Sequence, residues 1–132
     1  MAAAGPLSSF EDRKFAISMI GCAAEPIATC SIKVTAKVKS WWDNSVQNRL
    51  VDADGNTIPA VAMSIGGNEV SLPAHSRDSS SMLEAGVPTR IDFKFDRPVD
   101  QDNIRFLVIY VGHWSEKTTK LVPIWKSDPR RR

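Results

Sequence analysis

Apolar and polar residues alternate with a period of two along much of this chain. In Ser31-Ile-Lys-Val-Thr-Ala-Lys-Val-Lys39, the residues Ile32, Val34, Ala36 and Val38 fall on one face, and Lys33, Thr35, Lys37 and Lys39 on the other. Strict period two predicts a β-strand with one wet face. Arg90-Ile-Asp-Phe-Lys-Phe-Asp96 repeats the pattern, with Ile91, Phe93 and Phe95 inward and Arg90, Asp92, Lys94 and Asp96 outward. In Lys14 to Cys22, the residues Phe15, Ile17 and Met19 share one parity and Ile20 and Cys22 the other, which predicts a bulge or a strand buried on both faces. Ile104 to Val111 is apolar on both parities, as a central core strand should be.

Turn chemistry separates these runs. Gln47 to Asp52 reads as a short strand ending at Asp54-Gly55, a hairpin dipeptide in which glycine accepts positive φ. Ile58 to Ile65 is the returning strand, and Gly66-Gly67-Asn68 turns the chain again. Residues 69–81 read as a polar, serine-rich loop, and Met82 to Pro88 as a bend. Lys120 to Trp125 is a last short strand, confined by Pro123 to an edge or a bulge. No helical periodicity is evident.

Seven or eight short antiparallel strands with turns between them predict an all-β, immunoglobulin-like β-sandwich, with a jelly roll or small barrel as the alternative. Within the 132 residues, 1–11 read as a flexible lead, 12–126 as one β-sandwich domain and 127–132 as a basic tail ending in Arg130, Arg131 and Arg132.

Composition narrows the class by exclusion. A hydrophobic share of 42% and a charged share of 24% exclude wholesale disorder, collagen-like repeats and coiled coils. The strongest apolar run, Phe106 to Val111, is too short to span a bilayer, so no membrane insertion is expected. A formal charge of +2 gives no strong field for nucleic acid, and no aromatics interleave the lysine strand, so no nucleic-acid partner is expected. The lysines could attract an anionic ligand, but a solvated, aggregation-resistant face is the simpler reading.

Cys22 and Cys30 are the only cysteines. His75 and His113 lie far from them in sequence, so no zinc ligand set is offered and no metal or cofactor is expected. If residues 14–22 and 30–39 are antiparallel neighbours, the two cysteines face each other at the mouth of the intervening loop. That geometry suits a disulfide, with two free thiols as the alternative. A disulfide implies an oxidising, extracytoplasmic compartment, secreted or periplasmic. The first nine residues contain no apolar core of a signal peptide.

The order of elements resembles a known group. A Phe-containing strand leads to Cys22, a short loop, Cys30 and Ile-Lys-Val-Thr; then come Leu50-Val-Asp-Ala-Asp-Gly-Asn56, Leu83-Glu-Ala-Gly-Val-Pro-Thr89, Ile91-Asp-Phe-Lys-Phe95 and Phe95-Asp-Arg-Pro98. This resembles bacterial extracytoplasmic β-sandwich domains of the telokin-like, immunoglobulin-like kind, the DUF4352 group among them, over residues 14–111. The sequence departs from that pattern at Ala36-Lys37, where the group often carries Asn. The resemblance implies an exported binding or structural module and implies no catalytic residues.

Candidate chemistry is sparse. Asp52, Asp54 and Asn56 evoke a calcium loop, but Met63 stands at the twelfth position where an EF-hand needs glutamate, so a plain turn is expected. His75, Ser76 and Asp78 share one serine-rich loop and read as a solvated loop rather than a catalytic triad. His113 and Trp114 follow the core strand and form either a packing pair or part of a contact patch. Trp41 and Trp42 are adjacent, so on an extended chain they point to opposite sides, and at most one enters the core. The other is ordinary rim packing or a contact residue for protein or sugar.

These readings lead to a noncatalytic binding or structural module, not an enzyme. It would make protein–protein contact in an extracytoplasmic protein or surface assembly, through Trp41, Trp42, His113 and Trp114. The alternative is a carbohydrate-binding module that uses exposed tryptophans.

Overall fold

The computed structural model describes residues 9–43, 48–71, 80–111 and 118–125. They form eleven strands: β1 (Ser9–Glu11), β2 (Phe15–Ala23), β3 (Thr29–Ala36), β4 (Ser40–Asp43), β5 (Arg49–Asp52), β6 (Thr57–Ile65), β7 (Asn68–Ser71), β8 (Ser80–Leu83), β9 (Pro88–Phe95), β10 (Ile104–Tyr110) and β11 (Thr118–Leu121). Among the described residues the only helical turn is a 3₁₀ turn at Gln101–Asn103, so the fold is all-β as expected.

All strand pairs are antiparallel. One sheet runs β1-β2-β3-β9-β6-β5-β10-β11, with β7 also on β6, and β4 and β8 make a separate two-stranded ribbon. The long sheet nearly closes on itself. Beyond β11 the chain returns to the edge of β2, where Cys22 and Trp125 form a bridge and the Cys22 amide donates to the Ile124 carbonyl at 2.6 Å. Near-closure reduces the open edge that invites aggregation.

The alternating strands place their apolar faces as the pattern dictates. Ile32, Val34 and Ala36 of β3 and Ile91, Phe93 and Phe95 of β9 are wholly buried on one face of the sheet, with Ile32 directly opposite Ile91 and Cys30 opposite Phe93. Full burial of each large apolar side chain stabilises by about 1.5–3 kcal/mol. β10 buries Leu107, Val108 and Ile109 in succession, and it lies between β5 and β11.

The parity conflict in β2 resolves as a bulge. The β2–β3 register slips between Met19 and Gly21, so Ile20 turns out to solvent while Met19 and Cys22 stay buried. A second slip, between Ala60 and Ala62, lies where β6 passes from β5 to the β9–β7 region of the sheet. A bulge bends and twists its strand, which lets one strand serve both parts of a curved sheet.

Four strands lie where the sequence pattern suggests none. Ser9–Glu11, assigned above to the flexible lead, pairs with Ser18, Ile17 and Ala16 of β2. Ser40–Asp43 and Ser80–Leu83 pair with each other, and Asn68–Ser71 pairs with β6. Strands of three or four residues complete at most two cycles of alternation, too few to stand out from a polar loop. Conversely, β3 ends at Ala36, and Val38 is exposed rather than part of the inward face.

Candidate functional site

The ribbon explains the tryptophan doublet. Directly opposed residues share a face, and Trp41 stands opposite Met82 while Ser40 stands opposite Leu83. Trp42 and Leu83 enter the core, where Trp42 is fully buried and meets Phe15 edge-on, ring centroids 5.2 Å apart at 86°. Its Nε1 has no hydrogen-bond partner among the described residues. The outer face carries Trp41, 49% exposed, with half-buried Met82 across from it. Val38 and Val87, in the segments flanking β4 and β9, are exposed as well. The Lys39 Nζ lies 4.0 Å from a Glu84 carboxylate oxygen beside this face.

A second feature, missed by the sequence reading, lies on the outer face of β3, β9 and β6. A cleft of about 230 Å³ is lined by Thr29, Ser31, Ala62, Ser64, Arg90, Asp92 and Lys94, over backbone at Met63 and Phe93. The register explains the set: Ser31, Asp92 and Ser64 form one row, and Thr29, Lys94 and Ala62 the next. Within it the Ser31 hydroxyl donates to Asp92 Oδ1, Arg90 Nε donates to the same oxygen at 2.9 Å, and Arg90 Nη2 donates to Ser31 Oγ at 3.1 Å. The outward parity of Arg90, Asp92 and Lys94 was legible in the sequence. Their meeting with Ser31 and Ser64 required knowing that β3 and β6 flank β9.

Cys22 and Cys30 stand opposite each other at the loop mouth, as the hairpin predicts, with their sulfurs at disulfide distance and Cα atoms 4.1 Å apart. Because the Cys22 amide is spent on Ile124, this is a non-hydrogen-bonded pair, the register in which opposed side chains come closest.

The Asp52 cluster is a turn. Asp52 Oδ1 accepts from the amides of Asp54 and Asn56, both at 2.9 Å, and Oδ2 from Asn56 Nδ2 at 3.3 Å. Partial desolvation raises the Asp52 pKa, but the hydrogen bonds from Asn56 and Asp54 outweigh it and hold the carboxyl below its ordinary 3.8. Among the described residues no group of three or more His, Cys, Asp or Glu could hold a metal ion. The Arg97 guanidinium, forked onto Asp96 at 2.6 and 3.2 Å, lowers that carboxyl likewise.

Of the lysine face, Lys37 pairs with Glu11 of β1, while Lys33 lies on the cleft side of β3. His113, Trp114, the His75-Ser76-Asp78 group, Asn44 and Arg130 to Arg132 fall outside the described residues. Among the described residues no helix is long and apolar enough to cross a membrane.

No family model, curated protein or solved structure matches this chain.

Proposed function

We propose that this chain is a noncatalytic β-sandwich module of immunoglobulin-like type, akin to the extracytoplasmic DUF4352 group it resembles, that makes protein–protein contact through the outer face of the β4–β8 ribbon. The observation that carries this reading is the split fate of the tryptophan doublet. Trp42 anchors the ribbon in the core, and that anchor holds Trp41 49% exposed opposite Met82, with Val38 and Val87 also exposed on the adjoining segments. A large aromatic on a fixed backbone buries much area on contact and loses few rotamers, which is why tryptophan is enriched among residues that dominate interfaces. The cysteine pair at disulfide distance supports a compartment outside the cytoplasm, periplasmic or secreted.

Stacking of a sugar on both tryptophans has less support, because Trp42 is fully buried and cannot share a platform with Trp41.

Site-specific photocrosslinking in the cell of origin tests the reading. A benzophenone side chain in place of Trp41 or Met82 is expected to give discrete protein adducts. The same group in place of Arg105, an exposed residue of β10, should give none. Equal yields at all three positions would remove the ribbon as the contact face.

A further inference from the structure

The outer-face cleft of β3, β9 and β6 is independent of the ribbon, and its chemistry selects a different class of ligand. Along β9 the outward positions run Arg90, Asp92, Lys94: cation, anion, cation, on backbone positions about 7 Å apart at each step, with Arg90 Nε 2.9 Å from Asp92 Oδ1 and Lys33 opposite Arg90 on β3. An anion seated on either cation lies within one step of the Asp92 carboxylate. A cation seated on Asp92 lies between Arg90 and Lys94. An anion is therefore repelled by Asp92, though Lys33 beside Arg90 tempers that repulsion, and a cation is repelled from both sides. A neutral ligand meets neither penalty.

The hydrogen-bonding capacity left in the cleft is mixed. Asp92 receives both its bonds, from Ser31 and Arg90, on Oδ1, so among the described residues Oδ2 keeps its lone pairs. Arg90 spends Nε on Asp92 and one Nη2 proton on Ser31, and its remaining guanidinium protons have no partner among the described residues. The hydroxyls of Thr29 and Ser64 make no side-chain hydrogen bond among the described residues, and each both donates and accepts. Ala62, small and buried, also lines the cleft.

We propose that this cleft binds a neutral polyhydroxylated ligand, a single sugar ring whose adjacent hydroxyls donate to Asp92 and accept from Arg90, with Ser64 and Thr29 completing the array. A hydroxyl is donor and acceptor at once, so two neighbours on a ring satisfy a carboxylate and a guanidinium held side by side. The volume of about 230 Å³ lies below the usual range for small-molecule pockets, about 300–1,000 Å³, and suits one ring rather than a chain of them. Three directly paired strands fix the array before binding, and the Ser31–Asp92–Arg90 bonds fix its rotamers. Among the described residues no aromatic side chain faces the cleft, because Phe93 points into the core, so the expected dissociation constant is on the order of millimolar.

Amide-resolved NMR titration of the whole chain tests this. The probes are methyl β-D-glucopyranoside, methyl β-D-galactopyranoside, methyl α-D-mannopyranoside and N-acetylglucosamine, with sodium acetate and inorganic phosphate as charged comparators. The expected result is saturable shifts at Ser31, Ser64, Asp92 and Lys94 with at least one sugar and none with either anion. Asp92→Asn, which turns half the acceptor into a donor facing Arg90, should weaken that binding at least 10-fold while unperturbed amides elsewhere show the fold intact. Trp41→Ala should leave it unchanged, which separates this cleft from the ribbon. Saturation by the anions alone, shifts centred on Trp41, or no saturable shift with any sugar would each overturn the proposal.

Discussion

The ribbon and the cleft are two surfaces of one molecule built on opposite terms. The cleft rests on β9, paired along both edges and backed by Ile91, Phe93 and Phe95 in the core, so its polar side chains decorate a face whose stability is set beneath it. The ribbon has one partner strand for each of its members, and its hold on the core comes through Trp42 and Leu83. In the cleft, hydrogen bonds define the surface and burial defines the scaffold, and the two are separable. In the ribbon, adjacent residues of one dipeptide do both jobs, so anchoring and presentation are coupled. Substitutions should therefore divide cleanly in the cleft and less cleanly in the ribbon.

The largest effect expected is on the ribbon's anchor. Trp42→Ala removes a fully buried ring and its edge-on contact with Phe15, and should destabilise by about 3–5 kcal/mol in chemical denaturation. Trp41→Ala, one residue away and half exposed, should change stability by no more than about 0.5 kcal/mol. Comparable losses for the two would show that the ribbon does not sit as described. Next comes the clip beside the cleft, since Cys30 lies between Thr29 and Ser31. A disulfide closing a separation of eight residues contributes about 2.5 kcal/mol in the chain-entropy treatment. Intact mass should be two hydrogen atoms lighter without reductant, and Cys22→Ala with Cys30→Ala should lower stability by about 2.5 kcal/mol. Alkylation of both cysteines without reductant would sink this expectation.

The smallest effect belongs to neither surface and serves as a baseline. The Asp52 carboxyl is held below its ordinary 3.8 in the folded chain, so the charged form is favoured by folding. Its contribution is present above pH 3.8 and fades as pH falls through the lower folded value. The stability difference between the parent chain and Asp52→Asn should therefore narrow on acidification below about pH 4, with the cleft and ribbon unaffected. A difference constant across that range would mean that the turn does not favour the charged carboxylate.

How much of this was legible varied with strand length. β3 and β9 run eight residues each, long enough for alternation to fix which side chains face inward, and the doublet rule placed one tryptophan outside the core. The four short strands were hidden, and so was Asn48. That residue reads as unremarkable polar sequence, yet it is buried, its Oδ1 accepting the Tyr110 amide at 3.0 Å and its carbonyl the Ala60 amide at 3.1 Å. Buried polar groups are placed by the backbone donors and acceptors they satisfy, and those partners are 12 and 62 residues away in the chain.

By itself the sequence determined the all-β class, the main strands, the hairpin turn at Asp54-Gly55, the opposition of Cys22 and Cys30, and the opposed directions of Trp41 and Trp42. These depend on residues close together in the chain, where pleat parity and turn chemistry act directly. Only the tertiary structure decided which strands flank β9, that the sheet nearly closes where Trp125 returns to Cys22, and that Ser31 and Ser64 meet Arg90 and Asp92. Strand order is settled by how separate apolar faces cover one another, a balance over the whole chain that local alternation does not encode.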